Sequence, residues 1–158
     1  VRFWLANSYL LAGQEAPARA AFELLLKRMP GNTIVLNNLA WLLREKDPVR
    51  ALDYAQQAYK LRPKDPEVLD TLGYLLAQQG QAQRGLKLLD QALQARPQNP
   101  SVRYHRALAL YHSGDKSRAR VELSALLAAK TAFPERQAAR SLLDALQGDN
   151  KQAAQLNG

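Results

Sequence analysis

Residues Pro66 to Pro97 read PEVLDTLGYLLAQQGQAQRGLKLLDQALQARP. Leu69, Leu72, Leu75 and Leu76 recur at helical steps until Gly80, and Leu86, Leu88, Leu89, Ala92 and Leu93 do the same until Pro97. Apolar residues spaced this way mark one face of a helix, and Gly or Pro just past the last of them marks its end. The stretch therefore predicts helix, turn, helix. Neither helix can bury its stripe alone, so the pair needs copies of itself stacked on either side.

The copies are present. Pro63 and Pro97 lie 34 residues apart, and Pro30 and Pro63 lie 33 apart. Small residues (Gly73, Gly85, Ala92) stand where two helices must approach closely, and a Pro closes the second helix. With that period, the pattern resembles the tetratricopeptide repeat family. In the first unit Leu5, Ala6, Tyr9, Gly13, Ala18, Phe22 and Pro30 match the family's spacing. The resemblance implies an all-α, right-handed superhelix of four helix pairs (units 1–30, 31–65, 66–99 and 100–130), a capping helix over 134–147 and a polar tail over 148–158.

Local signals refine this outline. Pro17 suits the first turn of a helix that starts near Gln14 to Ala16. In the second unit the turn is one residue shorter, and Asp47-Pro48 stands in for the glycine as N-cap and first helical residue. Arg106 occupies the position where the other units carry Leu5, Leu39 and Leu72, so its guanidinium must snorkel or find a partner, shifting the packing of the last pair. After Lys130 the spacing breaks. Ala138, Leu142, Leu143 and Leu146 are expected on the buried face of the capping helix, with Gly148 ending it.

Composition narrows the function. At 158 residues and 47% apolar content the chain can form one continuous core. Cysteine is absent, which excludes disulfides, thiolate zinc sites and a cysteine nucleophile. No apolar run is long enough to span a membrane. Val1 falls inside a unit, with no initiator Met, so the chain reads as a piece of a longer array with any export signal or lipid anchor upstream. The net charge is +8, and between Arg96 and Arg140 nine Lys/Arg face three Asp/Glu. That basic half makes an acidic polymer, polysaccharide or nucleic acid, the alternative partner. No basic stripe interleaved with aromatics supports nucleic acid, and solvation of the outer helix faces is the plainer reading.

Residues for catalysis are not grouped as chemistry requires. His105 and His112 are seven residues apart on one helix, about 10.5 Å along its axis, too far to share a metal. Ser8, Ser113 and Ser124 lack the strained elbow of a nucleophile, and Gly13, Gly80 and Gly114 are single turn glycines rather than a phosphate loop. Asp65 and Glu67 suit a helix N-terminus. The chain reads as a non-enzyme without cofactor or metal.

A surface remains. The family resemblance implies that the first helices of successive units line a concave face. In that register unit one presents Phe3, Trp4 and Asn7; unit two Asn37, Asn38 and Trp41; unit three Asp70, Thr71 and Tyr74. Unit four presents Tyr104, His105, Leu108, Tyr111 and His112. Amides offer donors and an acceptor to an extended backbone, and Trp and Tyr offer apolar area with a polar tip. Asn7, Asn37, Asn38, Trp41, Asp70, Tyr74, Tyr104 and His105 are therefore the expected groove for a peptide or partner segment. Trp41 and Tyr74 suit equally the seam between adjacent first helices. A subclass of the family grips a C-terminal carboxylate with cations on this face; here those positions carry Phe3, Asn7, Asn38, Glu67 and Thr71, and the cations are missing.

A narrower resemblance rests on LNNLAWLL from Leu36, DPVRALDYAQQAYKLRPKDPEVLDTLGYLL from Asp47, QQGQAQRGLKLLDQAL from Gln78, RYHRALAL from Arg103, GDKSRARVEL from Gly114 and FPERQAARSLLDAL from Phe133. These resemble the C-terminal repeats of bacterial lipoproteins tied to PEP-CTERM sorting and exopolysaccharide export. The resemblance implies a periplasmic scaffold at the outer membrane, anchored by a lipid outside this chain; the cytoplasm is the alternative.

Overall fold

The structure is a computed structural model that describes the backbone of residues 3–156 and the side chains of 3–148. Nine helices and no strand occur among the described residues: α1 Phe3–Leu11, α2 Glu15–Arg28, α3 Thr33–Leu43, α4 Pro48–Leu61, α5 Pro66–Gln78, α6 Ala82–Ala95, α7 Pro100–His112, α8 Lys116–Ala128 and α9 Arg136–Leu156. The first eight form four antiparallel pairs, as the Gly and Pro punctuation predicts.

The helix ends follow from local chemistry. Asn32, Asp47, Asp65, Asn99 and Asp115 each accept a hydrogen bond from a backbone N–H of the turn they open. Pro48, Pro66 and Pro100 take the first turn, where no N–H is needed. Gly13, Gly80 and Gly114 sit at φ of 69°, 80° and 89°. At these three turns the next residue's N–H reaches back to the carbonyl of Tyr9, Leu76 or Leu110, at 2.9, 2.8 and 3.0 Å. That is the left-handed termination for which glycine is preferred. The shorter turn of unit two has no such glycine. Arg44 stays helical there, and Asp47 N–H bonds the Leu43 carbonyl at 2.8 Å.

Within each pair, small residues face one another. Ala6 and Ala18, Ala40 and Ala51, and Ala107 and Ala119 are all fully buried; in unit three the equivalents are Gly73 and Gly85. A Cβ on Gly73 would lie 2.7 Å from Leu89 Cγ, and one on Gly85 would collide with the Gly73 carbonyl oxygen. The backbones of α5 and α6 therefore approach as only glycine allows.

Between units, α3 packs on α5 and α5 on α7, while each second helix packs on first helices. Clefts open instead between second helices, about 520 Å³ between α4 and α6 and about 610 Å³ between α2 and α4. A stack tight along its first helices and splayed along its second curves with the first helices inside. Arg106 of α7 finds two partners: it pairs with Asp90 of α6 at 2.5 Å and with Glu122 of α8.

Two expectations for the last helix need correction. The backbone is helical through Gly148 to Leu156, so that glycine does not end α9, and the polar tail continues the helix as far as 156; 157–158 lie outside the described residues. Ala138 is exposed, and Ala139 takes its place on the buried face at 0%, with Leu143 and Leu146 buried and Leu142 half-buried. The junction is tied by Arg136, whose guanidinium donates to the carbonyls of Leu127, Ala129 and Thr131 at 2.9, 3.0 and 3.1 Å. The Leu127 and Ala129 carbonyls are ones that the end of α8 leaves without helical partners, and Thr131 lies in the segment beyond it.

Candidate functional site

On the inner side, three first helices bring rings together. Trp41 of α3 and His105 of α7 belong to units two apart, yet their ring centroids are 5.5 Å from one another. Tyr74 of α5 lies between them, 5.3 Å from Trp41 and 4.7 Å from His105. Tyr104 completes the group at 5.8 Å from His105. Such distances and tilts are those at which aromatic rings attract beyond the area they bury.

Carboxylates surround the rings. Asp70 Oδ1 lies 2.7 Å from His105 Nδ1, and Glu135 Oε1 lies 3.9 Å from Nε2. An ionised carboxylate only accepts, so Nδ1–H donates to Asp70. His105 is 3% exposed, and Nε2 has no hydrogen-bond partner. Glu135, in the turn before α9, is held by the Ser101 hydroxyl, which donates to it at 2.8 Å. Arg44 lies 4.5 Å from the centroid of the Trp41 ring, donates to the Trp41 carbonyl at 2.8 Å, and pairs with Glu15 and Glu45 at 3.7 and 3.8 Å.

This setting raises both tyrosine hydroxyls. Burial pushes Tyr104 up to about 12, with Tyr74 and Glu135 adding to it. Burial and the nearby Glu45 raise Tyr74 above the ordinary phenol value, against the opposing effects of Arg44 and a hydrogen bond to Gln78. Both are neutral donors at physiological pH.

Trp41 and Tyr74 are half-buried, so each fills the seam and keeps part of its ring on the surface. Asn7, Asn38 and Asp70 are half-buried too. Asn37 is half-buried, but its side-chain oxygen is buried and has no hydrogen-bond partner. Tyr104 at 8% and His105 at 3% exposure form the floor beneath the inner face, which corrects their assignment to an open groove wall. Among the described residues no hydrogen bond or ring contact joins Asn7 to the cluster. In the wider row Phe3 packs edge-on against Phe22, 6.1 Å between centroids, and belongs to the core of the first pair. Trp4 is 60% exposed, Thr71 is buried, and His112 is exposed beside Tyr111.

Arg44, Glu45 and Glu135 were not among the expected site residues. Arg44 stands three positions after Trp41, a spacing that puts both on one side of a helix, and this could have marked it. Glu135 reaches the cluster only through the fold of the turn before α9. Among the described residues no group of three or more His, Asp or Glu is placed to hold a metal, and no helix is long and apolar enough to cross a membrane.

Comparison with known proteins agrees with this architecture. Three family profiles, each described as a tetratricopeptide repeat, match residues 3–66, 39–104 and 76–143. No curated protein sequence matches the chain. Among solved structures, a thermophilic tetratricopeptide repeat protein of Thermus thermophilus superposes with a TM-score of 0.72 at 22% identity, over 90% of this chain and 77% of that one. A MamA structure covers 98% of this chain and 99% of its own at 16% identity and a TM-score of 0.64. An O-GlcNAc transferase of Thermobaculum terrenum aligns over 77% of this chain at 24% identity and a TM-score of 0.69, and the chain spans only 24% of that enzyme. At these identities the likeness is one of fold. With the profile matches running from residue 3 to residue 143, the chain belongs to the tetratricopeptide repeat proteins.

Proposed function

We propose that this chain is a non-catalytic interaction module whose inner face receives an extended segment of a partner protein. One observation carries the reading. Asn38, Trp41, Asp70 and Tyr74 stay half-exposed on a single face, while Leu39, Ala40 and Leu72 beside them are at 0%, 0% and 4% exposure. A row serving only the core would be covered like its neighbours, and partly covered aromatics and amides are what anchors an extended chain.

Selection of displayed random peptides on the wild-type chain tests this. Enriched peptides should lose at least tenfold in affinity for an Asn38→Ala, Trp41→Ala double variant; unchanged affinity would place the binding surface elsewhere. A peptide ending in Glu-Glu-Val-Asp should give no saturable heat by calorimetry, because the inner face lacks the cations of a carboxylate clamp. The basic half between Arg96 and Arg140 favours a second reading, an acidic polysaccharide or other polymer. Polymer binding through released counterions collapses as salt rises, whereas stacking and amide hydrogen bonds weaken little.

The resemblance over Leu36 to Leu146 supports a narrower proposal. The parent protein is a lipid-anchored scaffold on the periplasmic side of the bacterial outer membrane, serving exopolysaccharide export or protein sorting. Fractionation of the full-length protein tests it, and recovery in the cytoplasm would overturn it.

A further inference from the structure

The aromatic cluster on the inner face is bordered by carboxylates. Asp70 and Glu135 lie 2.7 and 3.9 Å from the two ring nitrogens of His105, whose Nε2 is buried and without a hydrogen-bond partner. The other buried side-chain atom without a hydrogen bond among the described residues is the oxygen of Asn37, an acceptor. Glu45 adds a third carboxylate close enough to raise the Tyr74 hydroxyl. The cluster's cation, Arg44, is already shared between Glu15 and Glu45.

This local excess of negative charge stands on a chain whose net charge is +8. The half-exposed rings suit the same ligand. The electron-rich face of Trp or Tyr attracts cations, and Trp41 already carries one, the Arg44 guanidinium 4.5 Å from its centroid. Carboxylates that only accept, beside aromatic faces, call for a group that only donates. Guanidinium carries five N–H donors in a plane that stacks on rings, and ammonium carries three.

We infer that the inner face reads a basic side chain, arginine before lysine, in the segment it binds, the cation resting against Trp41 and Tyr74 and neutralised by Asp70 and Glu135. This rests on the inner-face reading above and adds the chemistry of what is bound. An anionic segment is excluded from the same place by like-charge repulsion.

Trp41 itself reports the binding. The chain has two tryptophans, so in a Trp4→Phe background the fluorescence is that of Trp41. The probes are the capped peptide Ala-Ser-Ala-Arg-Ala-Ser-Ala and the same peptide with citrulline, lysine or glutamate in place of arginine. The arginine peptide should shift Trp41 emission saturably and bind at least tenfold more tightly than the citrulline peptide, with lysine between them and glutamate weakest. Glu135→Gln, checked for native helix content by circular dichroism, should weaken the arginine peptide at least fivefold and leave the citrulline peptide unchanged. Equal binding of arginine and citrulline would overturn the charge assignment while leaving a groove for extended peptides. Failure of all four to move Trp41 would also overturn it. The groove itself would fall separately, if peptides selected on the chain ignored the Asn38→Ala, Trp41→Ala substitutions.

Discussion

The pairs α1–α2 and α5–α6 are the same unit by register and differ at two places. At the helix crossing the first has Ala6 and Ala18 and the second has Gly73 and Gly85, which brings the backbones of α5 and α6 closer together. On the inner face the first presents Phe3, Trp4 and Asn7, the second Asp70, Thr71 and Tyr74. Phe3 turns into its own pair and Trp4 remains 60% exposed, whereas Tyr74 touches rings from α3 and α7. The comparison separates two causes. Repeat register makes a helix pair, but a site forms only where the neighbours on both sides supply side chains that meet.

The largest effect should come from the crossing. Gly85→Ala places a methyl against the Gly73 carbonyl and must push α5, with Asp70 and Tyr74, off α6. Overpacking of this kind costs about 1–3 kcal/mol, and a clash with backbone belongs at the upper end. Urea unfolding should show that loss, and Trp41 emission should shift even in the folded state. The reverse change in the first pair, Ala18→Gly, should cost about 1 kcal/mol through helix propensity and leave Trp41 unmoved. If the two variants were equally mild, the close approach of α5 and α6 would not be what holds the cluster.

Next in size is a pH dependence seated in the floor. The Tyr104 hydroxyl, pushed up to about 12 by burial, keeps its proton in the folded chain at a pH where the unfolded chain has lost it. Its contribution is complete below the unfolded value near 10 and is lost as pH rises through the folded value. Stability should fall between about pH 10 and 12, by roughly 2 kcal/mol from this group. Lysines titrate in the same range, so the measurement is a difference: Tyr104→Phe should flatten the alkaline fall seen in the wild type. Parallel curves for wild type and Tyr104→Phe would show that the floor is open to water.

How much of this the residues announce depends on how locally each feature is decided. Helix pairs, caps and turns follow from neighbours in sequence: Asp47-Pro48, Asn99-Pro100 and Gly80 act within one turn, and each element they predict is found. The expected stop at Gly148 failed because a lone glycine costs a helix only about 1 kcal/mol and the residues after it are mostly tolerant of helix. Ala139 is buried where Ala138 was expected because one residue is a rotation of about 100° on a helix. The inner row was legible by register, but not the meeting of Trp41 with His105, which is set by the curvature of the whole stack. Nor was the burial of His105, against which Asp70 of α5 and Glu135 of the turn before α9 are placed.

The smallest effect tests where register and residue type disagree. Arg106 fills the position of Leu5 in the first pair and Leu72 in the third, and from α7 it joins Asp90 on α6 to Glu122 on α8. Its side chain is 22% exposed and its partners are more so, which places the pair between a surface bridge worth little and a buried one. Arg106→Ala removes the cation and leaves two carboxylates near one another, so stability should drop by about 1 kcal/mol, less in 1 M salt, where the remaining repulsion is screened. Arg106→Leu restores the side chain that the other units use. Replacing a partly buried ion pair with well-packed apolar volume is commonly neutral or favourable, so this variant should unfold at the wild-type urea midpoint or above it. If leucine were as damaging as alanine, α7 would sit differently on α6 than α1 does on its own pair, and the fourth unit would be held by charge rather than by the packing its register prescribes.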